Sequence, residues 1–163
     1  MGTGSGLCAV CAALADASSV LATDCEPRAL SFATYNAVEN GVASRVNTAL
    51  LEWDEAVERK TLASYDVVLG ADILYGVGVA PTIAKLLRNT VRPGGYAILT
   101  DATDRPYKEA HMADLLHLLC KLDESDFVVC SRQPMSVTMR AEQNMRFKPI
   151  DNPFAVNTYV LQR

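Results

Sequence analysis

The chain opens on a segment suited to binding a ligand at close range. Met1-Gly2-Thr3-Gly4-Ser5-Gly6 precedes a small, apolar run from Leu7 to Leu14 that patterns as a helix. Glycines let a backbone pass close to a ligand at the start of a helix. The spacing is G-x-G-x-G with Leu at position 7, so the dinucleotide pattern G-x-G-x-x-G is not met. Asp24 follows 22 positions after Gly2 (24 − 2), at the end of the apolar run Val20 to Thr23. An acid roughly 20 positions on is placed to hold a ribose, its carboxylate accepting hydrogen bonds from both hydroxyls. The glycines alone read equally well as a tight strand-to-helix turn. Joined to the acid at that distance, they point to a nucleoside-bearing ligand.

Other reactive residue types lack partners. Cys8 and Cys11 form C-x-x-C, but Cys25, Cys120 and Cys130 stand singly. Small apolar packing, not a metal site or a redox pair, is the reading. His111 and His117 are six apart and read as surface or partly buried side chains. No G-x-S-x-G elbow and no G-x-x-x-x-G-K-[ST] loop is present, so hydrolase and phosphate-loop chemistry have no support. Asp101 and Asp104 read as solvated loop acids. Arg132, Arg140, Arg146 and Lys148 set against Glu142 give the late loop a basic tint, and it reads as solvated.

The elements that must position these residues alternate along the chain. Val20 to Thr23, Arg45 to Leu51, Tyr65 to Ala71, Tyr96 to Thr100, Phe127 to Cys130 and Val156 to Leu161 pattern as strands. Pro27 to Asn40, stopped by Gly41, reads as a helix, as do Ala80 to Val91 and Pro106 to Lys121. Pro93-Gly94-Gly95 reads as a turn, and Ser131 to Asn157 as a long loop between antiparallel neighbours. Such alternation means a parallel sheet with helices on both faces.

Composition agrees. The 163 residues are 50% hydrophobic, enough for one core, and carry a net charge of −4. That charge argues against nucleic-acid binding, which needs a basic face. No apolar run approaches the roughly 20 residues of a membrane span, and no secretory signal is recognisable. With five scattered cysteines, an intracellular protein, cytoplasmic or nuclear, is expected.

In order along the chain, GTGSG, ATDCEP, LEWDE, GADILY and RPGGYAIL resemble the landmarks of the seven-strand S-adenosylmethionine-dependent methyltransferases. Within these, the chain is most similar to the protein-lysine methyltransferase branch that carries a D-x-x-Y motif. The resemblance covers about residues 1 to 130. It implies that Gly2, Gly4 and Gly6 line the methionine end of S-adenosylmethionine and that Asp24 holds the ribose. Trp53 would pack beside the adenine, an arrangement that suits a large aromatic face. Asp72 and Tyr75 match D-x-x-Y, with Ala71 just before them at the strand end, where open parallel sheets hold ligands. A carboxylate and a phenol there would orient the incoming amine. Asp72 also suits a helix N-cap.

The family places a strand before the glycine loop, ending in an acid that binds the cofactor's amino group. Here Met1 directly precedes Gly2. The expectation is therefore one N-terminally incomplete α/β domain over 1–163. Its Rossmann-like methyltransferase sheet lacks the first strand and is mostly parallel, with one antiparallel strand near the C-terminus. The expected function is S-adenosylmethionine-dependent methyl transfer to nitrogen, on a lysine of a protein substrate. A small-molecule N-methyltransferase and a truncated, non-catalytic domain are the alternatives.

Overall fold

A computed structural model of the chain describes residues 1–59, 64–102, 106–120, 126–137 and 154–163. Its first part runs α1 (Leu7–Leu14), β1 (Val20–Asp24), α2 (Pro27–Glu39) and β2 (Val46–Leu50). β1 and β2 pair in parallel, from Val20 opposite Val46 to Asp24 opposite Leu50. α2 starts where Pro27 pre-sets φ and gives up only a donor that a first turn leaves unused. It ends before Gly41, which takes φ 69° as the chain leaves the helix.

The second part contains α3 (Trp53–Arg59), β3 (Tyr65–Ala71), α4 (Val79–Thr90), β4 (Val91–Ala102), α5 (Pro106–Leu119), β5 (Val128–Val137) and β6 (Phe154–Gln162). Its sheet has the order β3-β4-β6-β5. β3 and β4 are parallel, and β6 runs antiparallel to both β4 and β5. One reversed strand near the C-terminus, as expected from the sequence, is thus β6.

Three details differ from the sequence reading. α3 is an additional helix. β5 runs on to Val137 and β6 begins at Phe154, so both strands reach into the segment expected to be loop; residues 138–153 lie outside the described residues. Pro93-Gly94-Gly95 is a bulge inside β4, not a turn ahead of it. Val91 pairs with Tyr65, and regular pairing resumes at Tyr96 opposite Val67. The bulge needs glycine: Gly94 has φ 76°, and a Cβ at Gly95 would lie 2.8 Å from the Asp66 carbonyl oxygen.

The core is in two pieces. Ile83, Leu86, Leu87, Leu99, Leu115, Leu119, Phe127 and Leu161 are among the buried side chains of the larger cluster, between α4, α5 and the four-stranded sheet. The smaller cluster joins α1, α2, β1 and β2 through Ala9, Val10, Ala13, Ala22, Ala37, Val42 and Val46. β1 and β3 are not hydrogen-bonded to each other. The first residues of the chain bridge them: the Met1 amine donates to the Leu69 carbonyl at 2.8 Å, and the Thr3 N–H to the Thr23 carbonyl at 2.9 Å.

Candidate active site

Residues at the carboxyl ends of β1 and β3 meet the glycine loop and the start of α3 around a cavity of about 510 Å³. That is the place where open parallel sheets hold ligands, and the volume is in the range of small-molecule sites. Gly2, Gly4, Asp24, Trp53, Asp72 and Tyr75 all line it. Two other residues singled out from the sequence do not. Ala71 is exposed at the end of β3 but is not part of the lining. Gly6 is buried as the N-cap of α1 with φ 87°, and a Cβ there would lie 2.6 Å from the Ala33 Cα. Its small size serves the close packing of α1 on α2.

The glycine loop and the acid are joined directly. Asp24 Oδ2 accepts the Gly4 N–H at 2.9 Å, and Oδ1 accepts the Glu26 N–H at 3.1 Å. Oδ1 also accepts from the Cys25 thiol at 3.8 Å. The two backbone bonds fix the carboxylate, and of its roughly four lone-pair sites one on Oδ2 stays free for a ligand, with the weak thiol bond displaceable. Gly4 has φ 52° with nothing within 4 Å of a built Cβ, so its face is open. Gly2 has φ 58° and packs inward: a Cβ would lie 3.1 Å from Ile73 Cγ2 and 3.4 Å from Trp53 Cζ2. A side chain there would press on Ile73 and rest against the indole ring.

Trp53 is half-buried as the first residue of α3 and packs against the larger core. Its neighbour Asp54 accepts a hydrogen bond from the Thr82 hydroxyl of α4 at 2.9 Å, which ties the two helices together beside the cavity. At the end of β3 the chain turns sharply. Asp72 has φ 55°, a left-handed conformation that Asp tolerates better than most residues, and its N–H donates to the Thr100 carbonyl at 2.8 Å. The N-cap of α4 is Gly78, so Asp72 is not the cap that its position suggested. Ile73 and Leu74 then bury themselves, whereas Tyr75 is 62% and Val77 98% exposed at the cavity mouth.

The charged side chains of the lining are Asp24, Glu52, Asp54 and Asp72, all acidic. A cationic ligand is favoured there. S-adenosylmethionine fits these residues: its sulfonium suits the acidic lining, its ribose the Asp24 carboxylate, and its purine the Trp53 face. Cys25 also lines the cavity. The protein around it, and then the Glu52 and Asp24 carboxylates, push its thiol above the ordinary range.

The lining also includes residues that sequence reasoning did not single out. Glu52 and Asp54 flank Trp53, and Cys25 follows Asp24, so adjacency was the available signal. Thr82, one turn inside α4, gave none. Asp101, read as a solvated loop acid, is buried at the end of β4, and Asp104 lies outside the described residues. Cys8 is half-buried and Cys11 exposed, neither in a disulfide. Arg132 stacks over the Tyr159 ring at 5.4 Å. Arg140, Glu142, Arg146 and Lys148 lie outside the described residues.

A family model described as lysine methyltransferase matches residues 1–116. Protein N-lysine methyltransferase METTL21A of Danio rerio is 38% identical over 92 residues, covering 55% of this chain and 41% of that protein. Ribosomal protein L11 methyltransferase of Brucella suis is 34% identical over 106 residues, covering 64% of this chain and 35% of its own length. The chain thus spans about two fifths or less of these two curated relatives. Among solved structures, a SAM-dependent methyltransferase of Methanosarcina mazei has a TM-score of 0.67 at 13% identity, covering 99% of this chain and 89% of that one, a likeness of fold. The family match extends over Gly2, Gly4, Asp24, Trp53, Asp72 and Tyr75, residues that the fold gathers around one cavity, and the chain belongs to the lysine methyltransferase family.

Proposed function

We propose that the chain carries the S-adenosylmethionine site and amine-orienting residues of a protein-lysine N-methyltransferase. The observation that carries this reading is the convergence of Gly2, Gly4, Asp24 and Trp53 with Asp72 and Tyr75 on one acidic cavity. When bound, S-adenosylmethionine supplies an electrophilic methyl group on a sulfonium, open to in-line attack by an amine nitrogen. Asp24 accepts hydrogen bonds from the ribose, in an orientation already fixed by Gly4 and Glu26. Trp53 packs its face on the purine, and Gly2 and Gly4 let the backbone approach the methionine end. Asp72 and Tyr75, at the mouth, hold the incoming ammonium, let its proton pass to solvent there and align the neutral nitrogen. Positioning of this kind supplies most of what such a displacement asks of a protein. Both curated relatives carry names of enzymes acting on proteins, which supports a protein acceptor over a small amine.

The test is transfer of a labelled methyl group from S-adenosylmethionine to proteins of a cell extract, run beside a panel of small amines. Labelled protein bands that disappear with Asp72→Asn support the proposal. Labelled small amines without protein bands would replace the acceptor class. An absence of transfer together with no rise in Tm on adding cofactor sinks the reading, since binding to the native state must raise Tm.

A further inference from the structure

A side chain of α5 reaches the loop that carries Asp72 and Tyr75. Leu74, between the two, is buried, and its carbonyl oxygen lies 3.0 Å from Nδ1 of His111 on α5, 37 residues further along the chain. A carbonyl only accepts, so Nδ1 must bear the hydrogen. That fixes the neutral ring as the Nδ1–H tautomer and leaves Nε2 as the acceptor. One turn earlier on α5, the Tyr107 ring sits 5.6 Å from the His111 ring at 51° and restricts its rotation.

From this geometry we infer that His111 is a positioning residue, clamping the Asp72–Tyr75 loop so that carboxylate and phenol face the acceptor amine. This rests on the proposed function for its catalytic consequence, though not for the clamp. The loop departs from β3 with Asp72 at φ 55° and is followed by Gly76-Val77-Gly78, with Gly78 at φ 76°. Its backbone is held at its start by the Asp72 N–H bond to the Thr100 carbonyl and, beyond that, by the buried side chains of Ile73 and Leu74 and the His111 bond. Ile73 and Leu74 set depth, but an apolar contact is not directional. The hydrogen bond is, and it acts on the peptide unit that leads into Tyr75.

Two variants separate the bond from the ring. His111→Phe keeps an aromatic partner for Tyr107 and removes the donor, whereas His111→Asn puts an amide N–H close to the place of Nδ1. In His111→Phe, amide hydrogen exchange over residues 72–78 should rise about tenfold while α4 and α5 keep their protection, the loss of one net hydrogen bond. Methyl transfer should fall about tenfold in kcat with KM for S-adenosylmethionine within about twofold, since Asp24 and Trp53 are untouched. His111→Asn should restore both. Independently of any variant, ring-nitrogen NMR of the wild-type chain should show His111 as the Nδ1–H tautomer. Unchanged exchange over 72–78, loss of protection spread equally over α4 and α5, or an Nε2–H ring would each overturn the clamp. If the wild-type chain transfers no methyl group, the functional reading fails while the exchange and NMR results still decide the clamp.

Discussion

In the proposed site Trp53 and Asp24 would divide the work of holding a nucleoside between an apolar face and a charge, and their loss should be felt differently. Asp24 is anchored by two backbone N–H groups, one on each carboxylate oxygen, so Asp24→Asn removes the charge and also one of the two anchors, an amide having a single acceptor oxygen. Losing charge-assisted bonds to a ribose costs about 1.5–3 kcal/mol, a roughly 10- to 150-fold weaker Kd for S-adenosylmethionine by calorimetry. Trp53→Ala should cost about 1–2 kcal/mol of cofactor binding and also lower Tm, because the indole packs on the larger core. Asp72→Asn should leave cofactor affinity within about threefold and abolish transfer. A large affinity loss there would move Asp72 from the acceptor to the cofactor. Cys25 gives a pH test of the acidic lining. Its thiol is raised by the surrounding protein and by the Glu52 and Asp24 carboxylates, so it carries less thiolate than a free cysteine at any given pH. Alkylation by iodoacetamide should lag that of an unperturbed thiol at pH 8 and catch up only above the ordinary thiol range. Glu52→Gln removes a negative neighbour, lowers that pKa and speeds the reaction. Peptide mass spectrometry reads the rate, and equal rates in the two proteins would discard the electrostatic account.

At the scale of elements, the G-x-G-x-G segment does two jobs. Gly2 and Gly4 line the cavity, but Gly6 lets α1 approach α2. Gly6→Ala brings a Cβ to 2.6 Å of the Ala33 backbone at φ 87°, which combines left-handed strain with overpacking, about 2–4 kcal/mol together. For a chain of this size that is about 5–15 °C of Tm, read by calorimetry. Gly4→Ala has open space and should show the strain alone, so a larger drop at Gly4 than at Gly6 would reverse the assignment. The sequence could not tell these glycines apart, because spacing records where backbone freedom is needed and not what approaches it. Most of the alternation was legible, since Pro27 and Gly41 bound α2 and the run Tyr65 to Ala71 is nearly continuous and apolar. Its composition suggests a buried strand, but β3 is an edge strand of its sheet, with Asp66, Val67 and Ala71 exposed. α3 was not: Trp53 read as an adenine contact, and the short helix that it opens was missed. β5 was cut short because Pro134 argues against a strand. β5 is an edge strand of its sheet, where a missing N–H is tolerated.

For the whole molecule, the consequence of two cores is unequal stability. The smaller cluster consists of Ala and Val alone, seven buried residues among those described. The larger holds Leu, Ile, Phe, Met and Tyr. Burial contributes about 0.8 kcal/mol per CH₂, so the α1-β1-α2-β2 part should open at lower free energy than the sheet beside α4 and α5. The two parts join where Met1 reaches Leu69, Thr3 reaches Thr23 and the Leu51 N–H reaches the Asp24 carbonyl at 3.0 Å. The cavity straddles that seam, taking Gly2, Gly4 and Asp24 from one side and Trp53, Asp72 and Tyr75 from the other. A ligand that needs both sides in place binds only the closed form, so it stabilises the weaker part against opening. At 100 times Kd the gain is about 2.7 kcal/mol, equal to about 100-fold slower exchange through that opening. Hydrogen exchange should therefore show β1 and β2 exchanging faster than β3 and β4 in the free chain. Saturating S-adenosylmethionine should slow β1 and β2 by up to about 100-fold and bring them near the protection of β3 and β4. Equal protection of the two parts without ligand would mean that they unfold as one cooperative unit. Protection confined to the lining residues would mean that the ligand holds the loops without closing the seam.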